Sequence, residues 1–291
     1  MAIVVESIST LGTATNTLGG VTVTAPTGIE VGDLLVLSLV GLNQGGVVST
    51  PTFSGWTDAT TLNATDTSST FYSVQYKVAI SADTTATSYT FVPSGAIRQI
   101  RAKILRVSGF APSAVLGAAS SKASTDTGTG FSAAPTSYTP ISDGAFILIQ
   151  AGGEVGSSTT TSGYTIPGVT PIETIDEYTG FGGFNAALAS AYGIQTTADD
   201  VDAYTATFSQ STSNHRGQIA IFQAPKDVSV GNTLTTTTST AFSQPVFAEA
   251  TTQNNLTTTT TETFTQTGIG TSPTQWSNPD KPTTNWNNPP K

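Results

Sequence analysis

Apolar residues in this chain fall in short runs broken by Thr, Ser and Gly, and their spacing follows a period of two, not 3.6. Ser88-Tyr89-Thr90-Phe91 alternates polar and apolar, as a strand with one wet face does. Leu34 to Val40 is apolar on both parities apart from Ser38, which predicts a strand in the middle of a sheet. Turn-rich connections such as Asn43-Gln44-Gly45-Gly46 and Gly180-Phe181-Gly182-Gly183 separate the strands. Long runs of helix formers are absent.

The pattern also repeats. Val31 to Gly41 (VGDLLVLSLVG) has a counterpart in Asp143 to Gly153 (DGAFILIQAGG), each an apolar strand entered through an Asp/Gly turn. Ser54-Gly55-Trp56-Thr57 is matched by Ser162-Gly163-Tyr164-Thr165, and Tyr76-Lys77-Val78 by Tyr192-Gly193-Ile194. Ala82-Asp83 precedes SYTF (Ser88 to Phe91), as Ala198-Asp199 precedes AYTATF (Ala203 to Phe208). AKILRVSG (Ala102 to Gly109) is echoed by GQIAIFQA (Gly217 to Ala224), and from Tyr89/Tyr204 onward the offset holds at 115. Five matches in one order mark a duplication. Each half holds about four or five strands and would leave an apolar face open on its own. Residues 1–225 are therefore expected to form an all-β, jelly-roll-like sandwich of two diverged repeats closing one core, with two separate small sandwiches as the alternative.

A different pattern follows. Residues 226–270 form a Thr-rich arm in which Asn232 to Gln244 aligns with Asn254 to Gln266 at an offset of 22. Leu234 and Phe242 share a parity, as do Leu256 and Phe264, so each copy reads as an extended strand of roughly 30 Å with apolar anchors at its ends. Too few apolar groups are present for a core of its own, so a partner chain is expected to stabilise the arm. In residues 271–291, Thr274 to Lys281 repeats as Thr284 to Lys291 at an offset of 10. Prolines hold this tail extended, and Trp276 and Trp286 become candidate anchors for shallow pockets on a partner.

Composition narrows the function. Of 291 residues, 37% are hydrophobic and only 10% charged, the net charge is −9 and the pI is about 4.4. That balance argues against binding nucleic acid phosphates. Arg98, Arg101, Lys103 and Arg106 are expected to form a solvated or ion-paired strand edge. With no cysteine, neither disulfides nor thiolate metal sites enter. The start, MAIVVESIST, lacks the pattern of a secretory signal, and the longest apolar run is too short for a membrane-spanning helix, so a soluble protein made in the cytoplasm is expected.

Catalytic patterns are sparse. His215 is the only histidine and reads as a surface-turn residue, with no G-x-S-x-G elbow to accompany it. Glu173, Asp176 and Glu177 have no spacing that separates paired-acid hydrolysis from solvation. Ala198-Asp199-Asp200-Val201-Asp202 offers calcium-type oxygens, yet its first-half counterpart is Asp83 alone, which favours a turn. Gly152 to Gly156 opens no helix, so it is not a nucleotide loop. The expectation is a non-enzyme without cofactor or metal. Trp56 and Tyr164 occupy equivalent places and are candidates for stacking on sugars, though packing is the expected role.

The order of a GDLL strand at Gly32 to Leu35, Gly55-Trp56-Thr57, YKVA at Tyr76 to Ala79, Ala82-Asp83, Tyr89-Thr90-Phe91, and a strand ending Arg106-Val107-Ser108-Gly109 resembles β-sandwich modules of bacteriophage and prophage virion proteins. The resemblance covers roughly Val31 to Gln223. The tail is similar to the W-x-N-x-x-K ends of small phage virion proteins, here at Trp276 to Lys281 and Trp286 to Lys291. The resemblance implies a non-enzymatic virion protein of decoration, fibre or tail-associated type. Its C-terminal arm would join it to other virion proteins, and it would form a homo-oligomer, trimeric by analogy. The alternative is a tail adhesin module that binds host glycan. The family brings no catalytic residues to carry over.

Overall fold

The computed structural model describes residues 3–17, 19–43, 46–63, 70–110, 115–123, 128–133, 139–140, 143–155, 161–166, 168–181, 184–197, 204–224, 230–242 and 254–266. The first half contains β1 (Val4–Ile8), β2 (Gly12–Thr17), β3 (Val21–Thr24), β4 (Leu34–Asn43), β5 (Thr57–Leu62), β6 (Thr70–Val78), β7 (Ser88–Phe91) and β8 (Ile97–Ser108). The second contains β9 (Leu116–Ala123), β10 (Gly128–Ala133), β11 (Phe146–Glu154), β12 (Thr161–Thr165), β13 (Ile172–Phe181), β14 (Phe184–Ile194) and β15 (Tyr204–Phe222). Beyond these lie β16 (Val230–Phe242) and β17 (Asn254–Gln266). Among the described residues the one helical element is a 3-10 turn at Asp83–Thr85. The chain divides into two compact units, Met1–Lys226 and Asp227–Lys291.

Within the first unit the duplication appears as two like sheets. One runs β1-β8-β4-β6-β5, with β2 also on β8; the other runs β9-β15-β11-β14-β13, and all pairs are antiparallel. Each carries a small outer layer. In the first half it is the β3–β7 pair, and in the second it is β10 and β12 on the leading part of β15. β15 is thus β7 and β8 fused into one 19-residue strand that serves both layers.

All ten residues of β4 are buried, and alternation explains how. Leu35, Leu37 and Leu39 face outward into a core with Val21, Val23, Phe91, Ile100 and Ile104. Leu34 and Val36 face inward and meet Leu105, Val107, Phe146, Leu148 and Phe222. The second half mirrors this, with Ile147 and Ile149 turned toward Tyr204, Ala206, Phe208, Ile219 and Ile221. The all-β sandwich therefore contains the expected shared core, as two clusters between the halves, and each half also closes an outer core of its own. Contacts across the middle recur when the halves are exchanged: β14 lies on β4 as β6 lies on β11, and β13 on β8 as β5 on β15. That is the contact pattern of a two-fold dimer, written into one chain.

The basic run lies on β8, which is not an edge: it bonds β4 on one side and β1 and β2 on the other. Two of its four charges, Arg101 and Arg106, are paired with carboxylates. Arg106 Nε donates to Asp33 Oδ2 at 2.6 Å, and Arg101 lies 3.7 Å from Glu177.

In the second unit, β16 and β17 pair antiparallel, with Val230 opposite Gln266 and Phe242 opposite Asn254. The two copies of the 22-residue repeat pair with each other as neighbouring strands.

Candidate functional site

The most concentrated polar chemistry lies in the middle core. Ser38, Gln150, Ser190 and Gln218 are all fully buried there. Gln150 Nε2 donates to Ser38 Oγ at 2.7 Å, and Ser38 Oγ and Ser190 Oγ meet at 2.8 Å. The amides of Gln150 and Gln218 face each other at 2.5 Å, and Gln218 also stands 3.2 Å from the main-chain nitrogens of Ser73 and Val74. Tyr204 supplies a further bond from its hydroxyl to the Gln150 carbonyl at 2.7 Å. Every one of these groups is neutral near physiological pH. The cluster fastens two sheets at one register, since shifting either sheet would strand buried amides. The sequence carried one half of this signal, Ser38 as the polar break in an apolar strand. Its repeat partner, Gln150 in FILIQAGG, is the same break in the second copy and completes the site.

A charged cluster sits at the end of the first half. Asp83 accepts from Lys77 Nζ at 2.7 Å, from Tyr89 Oη at 2.9 Å and from the Ile80 amide at 2.8 Å. Burial works against its charge, but these three bonds and the Lys77 charge outweigh it and hold the carboxyl below its ordinary pKa. Burial, then the bond and charge of Asp83, raise the Tyr89 hydroxyl. Lys77 also lies 5.9 Å from the Trp56 ring centroid and 5.8 Å from that of Tyr89.

Trp56 is correspondingly a packing residue. It is 8% exposed and meets Phe91 and Tyr89 edge-on at 5.4 and 5.8 Å. That placement is the packing role expected of Trp56. Tyr164, its repeat partner, is half-buried on β12 and packs against the outer core of the second half. The pair is equivalent in packing, as the repeat implied.

His215, expected at a surface turn, is buried inside a strand. It is 2% exposed, within β15, stacked on Phe208 at 5.8 Å and in contact with the Thr212 hydroxyl. Asn214 beside it takes φ of 51° and bonds Glu154 through its amide at 2.7 Å, so the chain bends without leaving the strand. Gly152 is likewise a packing position, because a Cβ there would lie 2.1 Å from the Tyr72 hydroxyl.

Glu173, Asp176 and Glu177 lie along β13, the outer strand of its sheet. Burial, and after it the Asp176 charge, raises the Glu173 carboxyl. Glu177 is turned to Arg101. Beside this strand, Val4, Val5, Val169, Ile172, Tyr192 and Ile194 line an uncharged groove of about 610 Å³.

Among the anchor candidates, Leu234 and Phe242 fall on β16 and Leu256 and Phe264 on β17. Trp276 and Trp286 lie outside the described residues, as does the Ala198 to Asp202 cluster. Among the described residues no three His, Asp or Glu side chains gather as a metal site, and no helix is long and apolar enough to cross a membrane. No known family model matches the chain, and no curated protein or solved structure matches it.

Proposed function

We propose that this protein is a non-enzymatic structural component of a bacteriophage virion, a surface-exposed β-sandwich joined to the particle by its C-terminal arm. The carrying observation is the contrast between the two units. The first buries four hydrophobic clusters within itself. The second offers, among its described residues, two strands only, and a lone two-stranded hairpin is marginal in water. A chain built this way has a finished body and an unfinished arm, and the arm is completed by whatever it joins. The order of motifs shared with phage virion modules, together with the doubled tryptophan tail, supplies the setting. The Ser38–Gln150 cluster and the Asp83–Lys77 pair are engaged in packing and ion pairing, which supports a structural role.

The test is a chain lacking residues 227–291, made alongside the remaining virion proteins. It is expected to remain folded and soluble yet to be missing from purified particles; incorporation at the full-length level would overturn the reading.

A further inference from the structure

The internal two-fold makes each side of the middle core a check on the other, and at one place the two sides differ. Tyr76 and Tyr192 stand at the same repeat position. Tyr76 meets the Phe222 ring edge-on at 5.5 Å, and Phe222 stands opposite Leu116 of β9. The equivalents of Phe222 and Leu116 are Val107 and Val5, which stand opposite each other on β8 and β1. Two smaller side chains thus take the place of a phenyl ring and a leucine, and the groove of about 610 Å³ opens between Val5 and Tyr192. Its outer wall, Gly168 to Thr170, belongs to residues 166–171, which have no counterpart in the first half: Thr165 precedes them, whereas its match Thr57 already begins β5. By comparison with its filled twin, the groove has room for an aromatic ring set against a tyrosine.

The sequence carries such rings. Of three tryptophans, Trp56 is buried in an outer core, and Trp276 and Trp286 belong to the C-terminal tail. Each tail tryptophan is followed five residues later by a lysine, Lys281 and Lys291. The groove itself is uncharged, but β13 leads away from it with Glu173 next to Ile172, then Asp176 and Glu177. Five residues of extended chain reach about 15 Å. The four strand residues from Ile172 to Asp176 cover about 13 Å. A tryptophan seated beside Ile172 therefore brings its lysine within reach of the β13 carboxylates.

We propose that this groove is a docking site for the C-terminal tail of a second copy of the chain, with a tail tryptophan against Tyr192 and the lysine that follows it beside Glu173 and Asp176. Two features select the tail over another occupant: it supplies the missing aromatic ring, and its tryptophan-to-lysine spacing matches the step from uncharged groove to acidic strand. Because the donating and accepting surfaces differ, the contact joins copies head to tail. The inference concerns association of the purified chain and stands or falls separately from the virion reading.

The test uses the full-length chain carrying Trp276→Ser and Trp286→Ser, so that its own tail does not compete, and a dye-labelled peptide of residues 271–291 followed by fluorescence anisotropy. Saturable binding is expected, and none for a peptide in which both tryptophans are serine. In the receptor chain, Ile172→Asp is expected to weaken binding by about tenfold or more, as loss of a central apolar contact does. Asp176→Lys should weaken it several-fold, and Val47→Asp, an exposed site in the first half outside the groove, should leave it unchanged. Ile172 is 51% exposed, so its variant is expected to keep the wild-type melt. A second variant fills the groove from within: Val5→Leu with Val107→Phe, the residues of the opposite side, is expected to stay folded and lose the peptide. No binding of the wild-type peptide, equal binding of the serine peptide, or full binding by the Ile172→Asp or the filled chain would overturn the proposal.

Discussion

Gln150 and Ser38 stand at the same position of the two halves and bond directly to each other at 2.7 Å. In a two-fold dimer only residues near the axis meet their own equivalents, so this bond marks where the internal axis passes. Both residues are fully buried, which makes the bond costly to break from one side. Ser38→Ala is expected to lose about 1–3 kcal/mol, the penalty for leaving a buried amide unmatched. Adding Gln150→Leu should cost less than the sum of the two single changes, and a double-mutant cycle by urea unfolding measures the difference.

Trp56→Ala removes a ring shared with Phe91 and Tyr89 in the outer core. The expected loss is about 3–5 kcal/mol of stability. A folded variant that keeps wild-type stability but loses binding on a glycan array would show the ring to be a ligand contact instead.

Asp83 makes stability depend on acid. Its folded-state pKa lies below the ordinary carboxylate value, so its contribution is complete above that value and disappears as pH falls through the lowered one. Glu173 acts in the opposite sense, because its raised pKa makes protonation favour the folded state. At pH 7 Asp83→Asn is expected to cost about 3–5 kcal/mol, since Lys77 loses its buried partner. Unfolding midpoints of wild type and variant should converge as pH is lowered below the ordinary carboxylate range; a constant gap would sink the assignment.

Gly152→Ala is expected to destabilise by about 1–3 kcal/mol through overpacking. The added methyl meets the Tyr72 hydroxyl at 2.1 Å and the Ala187 carbonyl oxygen at 2.3 Å. Tyr72→Phe in the same chain should recover part of the loss but not all, because the carbonyl remains. Thermal melts of the single and double variants check both statements.

Local pattern made much of the fold legible. Leu34 to Val40 read as a central strand because apolar residues on both parities need two covered faces, and β4 has them. The repeat read correctly because the central strands of the two halves keep the same neighbours, β8-β4-β6 in one and β15-β11-β14 in the other. What the sequence hid was long-range. Ser-Thr-Ser-Asn-His-Arg (211–216) looks like a turn, but β15 carries it through a bend, with His215 covered by Phe208. The basic residues of β8 resembled an edge because their partners, Asp33 and Glu177, lie far away in the chain. Threonine runs have no register of their own, so the pairing of β16 with β17 was not readable from composition. The fastening of Ser38 to Gln150 lay within reach, had the polar breaks of the two aligned strands been read together.

The fused strand β15 has a mechanical consequence. Gln223 and Ala224 carry the chain on from β15 while still buried, with the Gln223 main-chain N–H donating to the Val115 carbonyl at 3.0 Å, so β15 is the strand that takes up a load applied along its own axis. From Arg216 to Phe222 it is flanked by β9 and β11 on its two sides. Hydrogen bonds that run perpendicular to an antiparallel strand are then strained together in shear, instead of being peeled apart one pair at a time. A load along β15 is therefore shared by all of these bonds at once.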